Sequence, residues 1–156
     1  MQMLEIVKIT PEKAEVVWRI QQAAFGPLLE KYQDYDLSPA MESVERVREK
    51  MERTGMDTHL FLLEGETVGS VRTSLRDGAR KISALCVLPE HQGKGIAQAA
   101  MRRLEEIYPE KKWVLATIKQ EAGNCHLYEK LGYVRVGGEE IVNERMTLVF
   151  YEKNVE

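Results

Sequence analysis

Six consecutive residues, Gln92-Gly93-Lys94-Gly95-Ile96-Ala97, have the types and spacing to hold an anion. They follow an apolar run, Leu85-Cys86-Val87-Leu88, and a proline, Pro89, and they lead into a segment of helical periodicity. Glycine lets a backbone approach a ligand closely and takes positive φ at little cost. A helix start leaves its first N–H groups without intrahelical partners and carries a partial positive charge. Together these make a seat for a phosphate or pyrophosphate, and Lys94 adds a mobile cation beside it. Two common phosphate motifs fit poorly. The G-x-x-x-x-G-K-[ST] loop is absent, because Lys94 precedes a glycine. The G-x-G-x-x-G fingerprint finds Gly93 and Gly95 but meets Gln98 at its third glycine, and it belongs after a first strand rather than a fourth.

Other reactive side chains are scattered. Cys86 and Cys125 form no C-x-x-C pair and have no companion cluster of histidines, which argues for reduced thiols, one in a strand core and one on a helix. Cys125 lacks the paired base of a nucleophile. His59 falls at a strand start and His91 in a turn, neither with metal-ligand company, so no metal is expected. Tyr32, Asp34, Tyr35 and Asp36 read either as a solvated acidic loop or as rings and carboxylates suited to a cationic amine. The pairs Arg102-Arg103 and Lys111-Lys112 read as solvated charges.

The 156 residues suffice for one domain, and 44% apolar with 30% charged residues is a soluble balance. A net charge of −3 gives no basic field to recruit nucleic acid or an anionic membrane. No apolar run approaches a membrane span, and Met1-Gln2-Met3-Leu4-Glu5 lacks a signal layout, so a cytoplasmic setting is expected.

The elements that must position these residues follow from periodicity. Alternation over residues 3 to 9 predicts a strand, and Thr10-Pro11 caps a helix carried by Ala14, Val17, Trp18, Gln21, Ala24 and Phe25, with Gly26-Pro27 as its stop. Residues 28 to 37 lack a firm period and read as helix or loop. Ser38-Pro39 opens a second helix to about Thr54. Residues 58–63, 67–75 and 80–88 are three strands joined by turns at Gly65-Glu66 and Asp77-Gly78. A helix from Gly93 to about Tyr108 precedes a short apolar run, Trp113 to Ile118, suited to a strand buried on both faces. A helix from Ala122 to Leu131 ends at Gly132, and strands over 133–136 and 146–151 close the chain. The order β-α-α-β-β-β-α-β-α-β-β, with a helical crossover in its second half, predicts a mixed α/β (α+β) single domain with one parallel strand pair.

The pattern Leu-x-Val-x-Pro-x-x-Gln-Gly-x-Gly-Ile-Ala resembles the acyl-CoA signature of the GNAT superfamily of N-acyltransferases, whose core [QR]-x-x-G-x-[GA] falls here on Gln92, Gly95 and Ala97. Asn124-Cys125-His126-Leu127-Tyr128-Glu129-Lys130-Leu131-Gly132-Tyr133 resembles the family's second segment, which ends in Leu-Tyr-x-x-x-Gly-[FY]. The family asparagine often lies seven residues before that tyrosine, where this chain has Glu121; Asn124, four before, is the alternative. The resemblance implies a central sheet of about six to seven strands flanked by about four helices, with the fourth and fifth strands splayed. It implies that the pantetheine arm of acetyl-CoA pairs with Leu85 and Val87 beside Cys86. The pyrophosphate would rest on amides from Gln92 to Ala97, through Gly93, Lys94 and Gly95, with Ile96 beneath. It also implies Tyr128 as the general acid for the leaving thiolate, with an ordinary core position as the alternative.

Amine acylation by a thioester needs no enzyme nucleophile, only a base, because an amine is protonated at neutral pH. Glu64, Glu121, Glu144 and His126 are open candidates, Glu121 first. The Val87 N–H is the candidate oxyanion donor. The reading is an acetyl-CoA-dependent N-acetyltransferase acting on a small-molecule or peptide amine, with Tyr32, Tyr35 and Asp36 on the acceptor side and a homodimer through the last strands as an option. The alternatives are a non-catalytic acyl-CoA sensor and a nucleotide-binding domain.

Overall fold

The computed structural model describes residues 3–156; Met1 and Gln2, which open the segment read as lacking a signal layout, lie outside the described residues. Seven strands form one sheet: β1 (Leu4–Ile9), β2 (Met56–Leu63), β3 (Glu66–Arg76), β4 (Ala79–Val87), β5 (Lys112–Ile118), β6 (Val134–Ile141) and β7 (Thr147–Asn154). The helices are α1 (Ala14–Tyr32), α2 (Val44–Met51), α3 (Ile96–Ile107) and α4 (Ala122–Lys130), with single 3-10 turns opening at Pro11, Pro39 and Pro89. The sheet order is β1-β2-β3-β4-β5-β7-β6, antiparallel throughout except for the β4–β5 pair.

That parallel pair is short. Only Arg80↔Trp113 and Lys81↔Val114 are in register, and beyond Lys81 the two strands part. A bulge accompanies the parting: Arg72 faces Ser83 while Ser70 faces Cys86, so β4 carries one extra residue there. Ala84 absorbs it at φ 49°, a left-handed conformation that costs an alanine energy and re-aims the strand. The closed end is pinned by Arg80, which is 4% exposed and therefore needs full pairing. It meets Glu110 at 2.8 Å, Asp57 at 3.3 Å and Thr73 at 3.1 Å, and its guanidinium lies 3.8 Å from the centre of the Tyr108 ring. The main core, with Phe61, Val68, Met101, Leu104, Trp113 and Tyr151, lies under α3 and α4. A second cluster holds α1 and α2 against β2 through Ala14, Val17, Val47, Met51 and Leu60.

Several expectations from the sequence change. Gly26-Pro27 does not stop α1, which runs on to Tyr32. Proline removes one helical hydrogen bond, but buried Tyr32 anchors the last turn, and Gln33 closes it in left-handed geometry with its N–H on the Leu29 carbonyl. Residues 28–32, left open between helix and loop, are helical for the same reason. Ser38 caps only a single turn, donated to by the Ala40 N–H; the second helix starts at Val44, capped by Ser43 at 3.1 Å from the Arg46 N–H. Between them Glu42 is extended, drawn to Lys50 and Gln21. The first hairpin turns on Glu64-Gly65 rather than Gly65-Glu66, and Asp77-Gly78 turns the second; both pairs have positive φ, as type I′ turns require. α3 starts at Ile96, not Gly93, because Gly93 and Gly95 are both left-handed. β5 buries Trp113, Leu115 and Thr117 on one face only; on its other face Ala116 is exposed and Val114 and Ile118 are half-buried.

Candidate active site

The gap left by β4 and β5 is the main cleft. A cavity of about 560 Å³ is lined by Leu85, Cys86 and Val87 of β4, by the loop residues Gln92, Gly93 and Gly95, and by Ile96 and Ala97 of α3. Glu121, Asn124 and Tyr128 line it from the start and body of α4, and Phe25, Pro27 and Leu28 from α1. A second cavity of about 300 Å³ shares Phe25, Leu28, Leu85, Asn124 and Tyr128 with the first and extends along β5 to Asp34, Lys81 and Met146. Tyr128 therefore stands where two chambers meet.

The β4 edge facing the cleft has a definite polarity. The Leu88 N–H donates to the Val68 carbonyl on β3 at 2.8 Å. Successive residues of a strand present their backbone groups to opposite edges, so the N–H and carbonyl of Val87 face the edge that β5 has left. The Gln92 side chain donates to that carbonyl at 3.0 Å. Gln92 thus ties the loop to the strand end and leaves the Val87 N–H unopposed. Glycine 69 makes this arrangement possible from behind: a Cβ there would lie 2.4 Å from the Cys86 carbonyl oxygen and 3.3 Å from Val87 Cα.

The loop offers an anion seat with few competitors. Gly95 is the N-cap of α3 and supplies no capping side chain, and no acidic residue stands in the first turn. The first N–H groups of the helix are therefore open to a ligand. Lys94 is exposed and does not line the cavity; its Nζ lies 3.2 Å from His91 Nδ1.

Three groups have environments that bear on proton transfer. Burial raises the Tyr128 pKa, keeping the phenol protonated at neutral pH. Burial works against the Glu121 charge, but hydrogen bonds from Tyr32 and Lys31 outweigh it and hold the carboxyl below its ordinary value. Lys31 Nζ lies 2.9 Å from Glu121 Oε2, and the Tyr32 hydroxyl donates to the same oxygen. Burial raises Asp34, whose Oδ1 is buried without a partner. The Cys86 thiol is pushed up to about 11 by burial, an inert state beside Ser70 Oγ at 3.6 Å.

Of the acceptor-side residues read from sequence, Tyr32 is buried and bonded to Glu121, Asp34 lines the second cavity, and Tyr35 and Asp36 are exposed and line neither. Among the proposed bases, Glu121 lines the cleft, whereas Glu64, Glu144 and His126 do not. Sequence reasoning missed the α1 wall, Gly69, Lys31, and Asn143, whose Nδ2 donates to the Tyr32 carbonyl at 3.0 Å. Only Phe25 and Leu28 carried a signal, as apolar residues flanking Gly26-Pro27. Among the described residues no group of three or more potential ligands is placed to hold a metal ion, and no helix is long and apolar enough to cross a membrane.

A family model described as an acetyltransferase (GNAT) domain matches residues 29–155. Among curated proteins no sequence is significantly similar. A ribosomal-protein alanine N-acetyltransferase from Escherichia coli superposes with a TM-score of 0.77 at 14% identity, over 99% of this chain and 95% of that one. A PaiA N-acetyltransferase from Thermoplasma acidophilum, solved with coenzyme A, gives 0.74 at 15% identity over 97% and 99%. A spermidine N-acetyltransferase chimera from Vibrio cholerae gives 0.74 at 17% over 97% and 95%.

Proposed function

The chain belongs to the GNAT acetyltransferase family, and from that premise we propose that it transfers an acetyl group from acetyl-CoA directly to a primary amine of a small molecule, peptide or protein within a ternary complex. The observation that carries this reading is the vacated β4 edge, with its unopposed Val87 N–H, running straight into the capless start of α3. Leu85 and Val87 offer an extended pantetheine arm the backbone pairing that β5 gives up, alongside Cys86. The amides from Gln92 through Gly93, Lys94, Gly95 and Ile96 to Ala97 hold the pyrophosphate. Solved relatives include one with coenzyme A and others whose names specify protein and polyamine acceptors, which supports the cosubstrate and the acceptor class.

Acetyl-CoA supplies a thioester, whose carbonyl carbon takes the amine nitrogen as the carbon–sulfur bond breaks. This chain's residues have five tasks. The Val87 N–H stabilises negative charge on the carbonyl oxygen. Tyr128, protonated by virtue of its burial, gives a proton to the departing thiolate. Glu121, ionised through Lys31 and Tyr32, receives the amine proton, directly or through water. Asn124 shapes the junction of the two chambers, and Asp34 attracts the ammonium form of the acceptor to it. Tyr32 acts through Glu121, while Tyr35 and Asp36 meet only parts of an acceptor that extend outside the cavities. The setting is cytoplasmic, without metal, nucleic acid or membrane, and a homodimer would use the edge strand β6, where Val134 and Ile141 are exposed.

Thiol release from acetyl-CoA over a panel of primary amines tests the reading. Amine-dependent release with intersecting initial-rate lines is the expected result. Binding of acetyl-CoA without release on any acceptor would favour an acyl-CoA sensor, a reading to which the tethered state of Glu121 lends some weight.

A further inference from the structure

The second cavity contains a cation without a counter-charge. Lys81 lines it from β4, at the last residue in register with β5. Register places Ser74 opposite Lys81 and Arg72 opposite Ser83, so Lys81 and Arg72 share one face of the β3–β4 ribbon, and Arg76 follows Arg72 on that face. Burial, then Arg76 and Arg72, lower the affinity of Lys81 for its proton, and no carboxylate counters them. Arg72 brings no surplus negative charge. It is 8% exposed, its Nε is buried without a partner, and Glu42, 3.7 Å away, is shared with Lys50. Asp34, the one carboxylate lining this cavity, does not offset them: its Oδ1 has no partner, and the influences on Lys81 are burial, Arg76 and Arg72 alone. Like charges gathered in a half-buried place destabilise the fold unless something arrives to pair with them.

We propose that the acceptor amine carries an anionic group, a carboxylate or a phosphate, at its far end, and that Lys81 is the residue that reads it. This rests on the acetyl-transfer reading above and narrows its acceptor class. The geometry sets the polarity of the acceptor. Lys81 precedes Leu85 by four residues, at most about 13 Å of strand and less across the bulge at Ala84, so amine and anion occupy separate parts of the chamber. Lys81 serves the anionic group, and the chamber around it is walled largely by apolar residues such as Ile118 and Leu148. An acceptor of this kind is an amino acid with a long spacer, an aminoalkyl phosphate, or an amine next to an acidic peptide segment.

Matched probes test it: hexylamine, ε-aminohexanoate and aminohexyl phosphate, with wild type, Lys81→Met and Lys81→Arg. Binding to CoA-saturated protein is measured by calorimetry, which does not depend on turnover, and kcat and KM follow from thiol release. The expected result is at least tenfold tighter binding of one or both anionic probes than of hexylamine. The stronger of the two identifies the anion. Lys81→Met should remove that ratio through KM rather than kcat, and Lys81→Arg should keep most of it. Equal binding of the three probes, or an unchanged ratio in Lys81→Met, overturns this inference while leaving acetyl transfer in place. Failure of wild type to bind CoA overturns the acetyl-transfer reading, and this inference with it.

Discussion

Gly69 is the most exacting place to perturb the site, because it lies on β3, behind the strand that lines the cleft. Its backbone is not in the left-handed region, so alanine there carries no conformational penalty and acts by volume alone. The added Cβ would meet the Cys86 carbonyl oxygen at 2.4 Å, Phe61 Cδ2 at 2.8 Å and Val87 Cα at 3.3 Å. Ordinary contact begins at 3.4 Å, so the β4 backbone at Cys86 must retreat by about 1 Å, and two of these neighbours are backbone atoms with no freedom to rotate away. Overpacking of this kind costs about 1–3 kcal/mol of stability. The same displacement moves the Val87 N–H off its target, and misplacement by about 1 Å can cost on the order of a hundredfold in rate. Urea unfolding and steady-state kinetics on Gly69→Ala read the two effects separately. Gly26→Ala is the control. It sits inside α1, where an added Cβ meets nothing within 4 Å beyond its chain neighbours; the helical advantage of alanine over glycine is offset by crowding of that Cβ against the Pro27 ring, so stability should change by less than about 1 kcal/mol with unchanged kinetics. If Gly69→Ala kept wild-type stability and kcat/KM, the description of β4 as a rigid rail positioned by β3 would be wrong.

Three further outcomes follow from the site and its surroundings. Tyr128→Phe should lower kcat by roughly tenfold to a hundredfold with little change in KM for acetyl-CoA, and, since burial raises the tyrosine's pKa, Tyr128 should not set the alkaline limb of the wild-type pH–rate profile; wild-type kcat in the variant would return Tyr128 to a core role. Tyr32→Phe removes a hydrogen bond that holds Glu121 low, so the Glu121 pKa rises and the acid limb of kcat/KM should move to higher pH; a limb that stays in place would exclude Glu121 as the base. His59 is 2% exposed with Nδ1 unpartnered, and burial lowers its pKa against the opposing pull of Asp57. Below about pH 6.5 the unfolded chain therefore takes up a proton that the folded one refuses, and stability falls by up to about 1.4 kcal/mol per pH unit. Urea unfolding of wild type and His59→Gln at neutral and mildly acid pH should give a shallower pH dependence in the variant, and identical slopes would contradict the assignment.

Much of the fold was legible because local signals agreed. The Asp77-Gly78 turn, Gly132 after α4 and the alternation in β2 and β3 all state local geometry, and the element order then left one helical crossover and one parallel pair. The turn ahead of α3 was equally readable, since Gly93 and Gly95 encode positive φ by type and both take it. What stayed hidden depends on distant partners. Ala84 takes the left-handed conformation in β4 although nothing in its type asks for it; the divergence of β4 from β5 imposes it. Gly26-Pro27 reads as a stop, but burial of Tyr32 and the tether from Asn143 outweigh the local signal. The Lys31–Tyr32–Glu121 contact joins positions 90 and 89 residues apart, beyond any local pattern. Lys81 gave no sign of its role, because an unpaired lysine in a strand is ordinary until the cavity beside it and the cations on its face are seen.

The most direct test of the central claim, that the β4 edge and the start of α3 form the seat of acetyl-CoA, is calorimetric titration of acetyl-CoA into wild type and Gly95→Glu. At φ 78° with no capping side chain, position 95 would present a glutamate's charge where the pyrophosphate must rest. Wild type should bind one equivalent with a Kd on the order of micromolar, and the variant, shown to be folded by its unfolding transition, should bind none. Absence of wild-type binding at high micromolar acetyl-CoA, or undiminished binding by Gly95→Glu, would contradict the account.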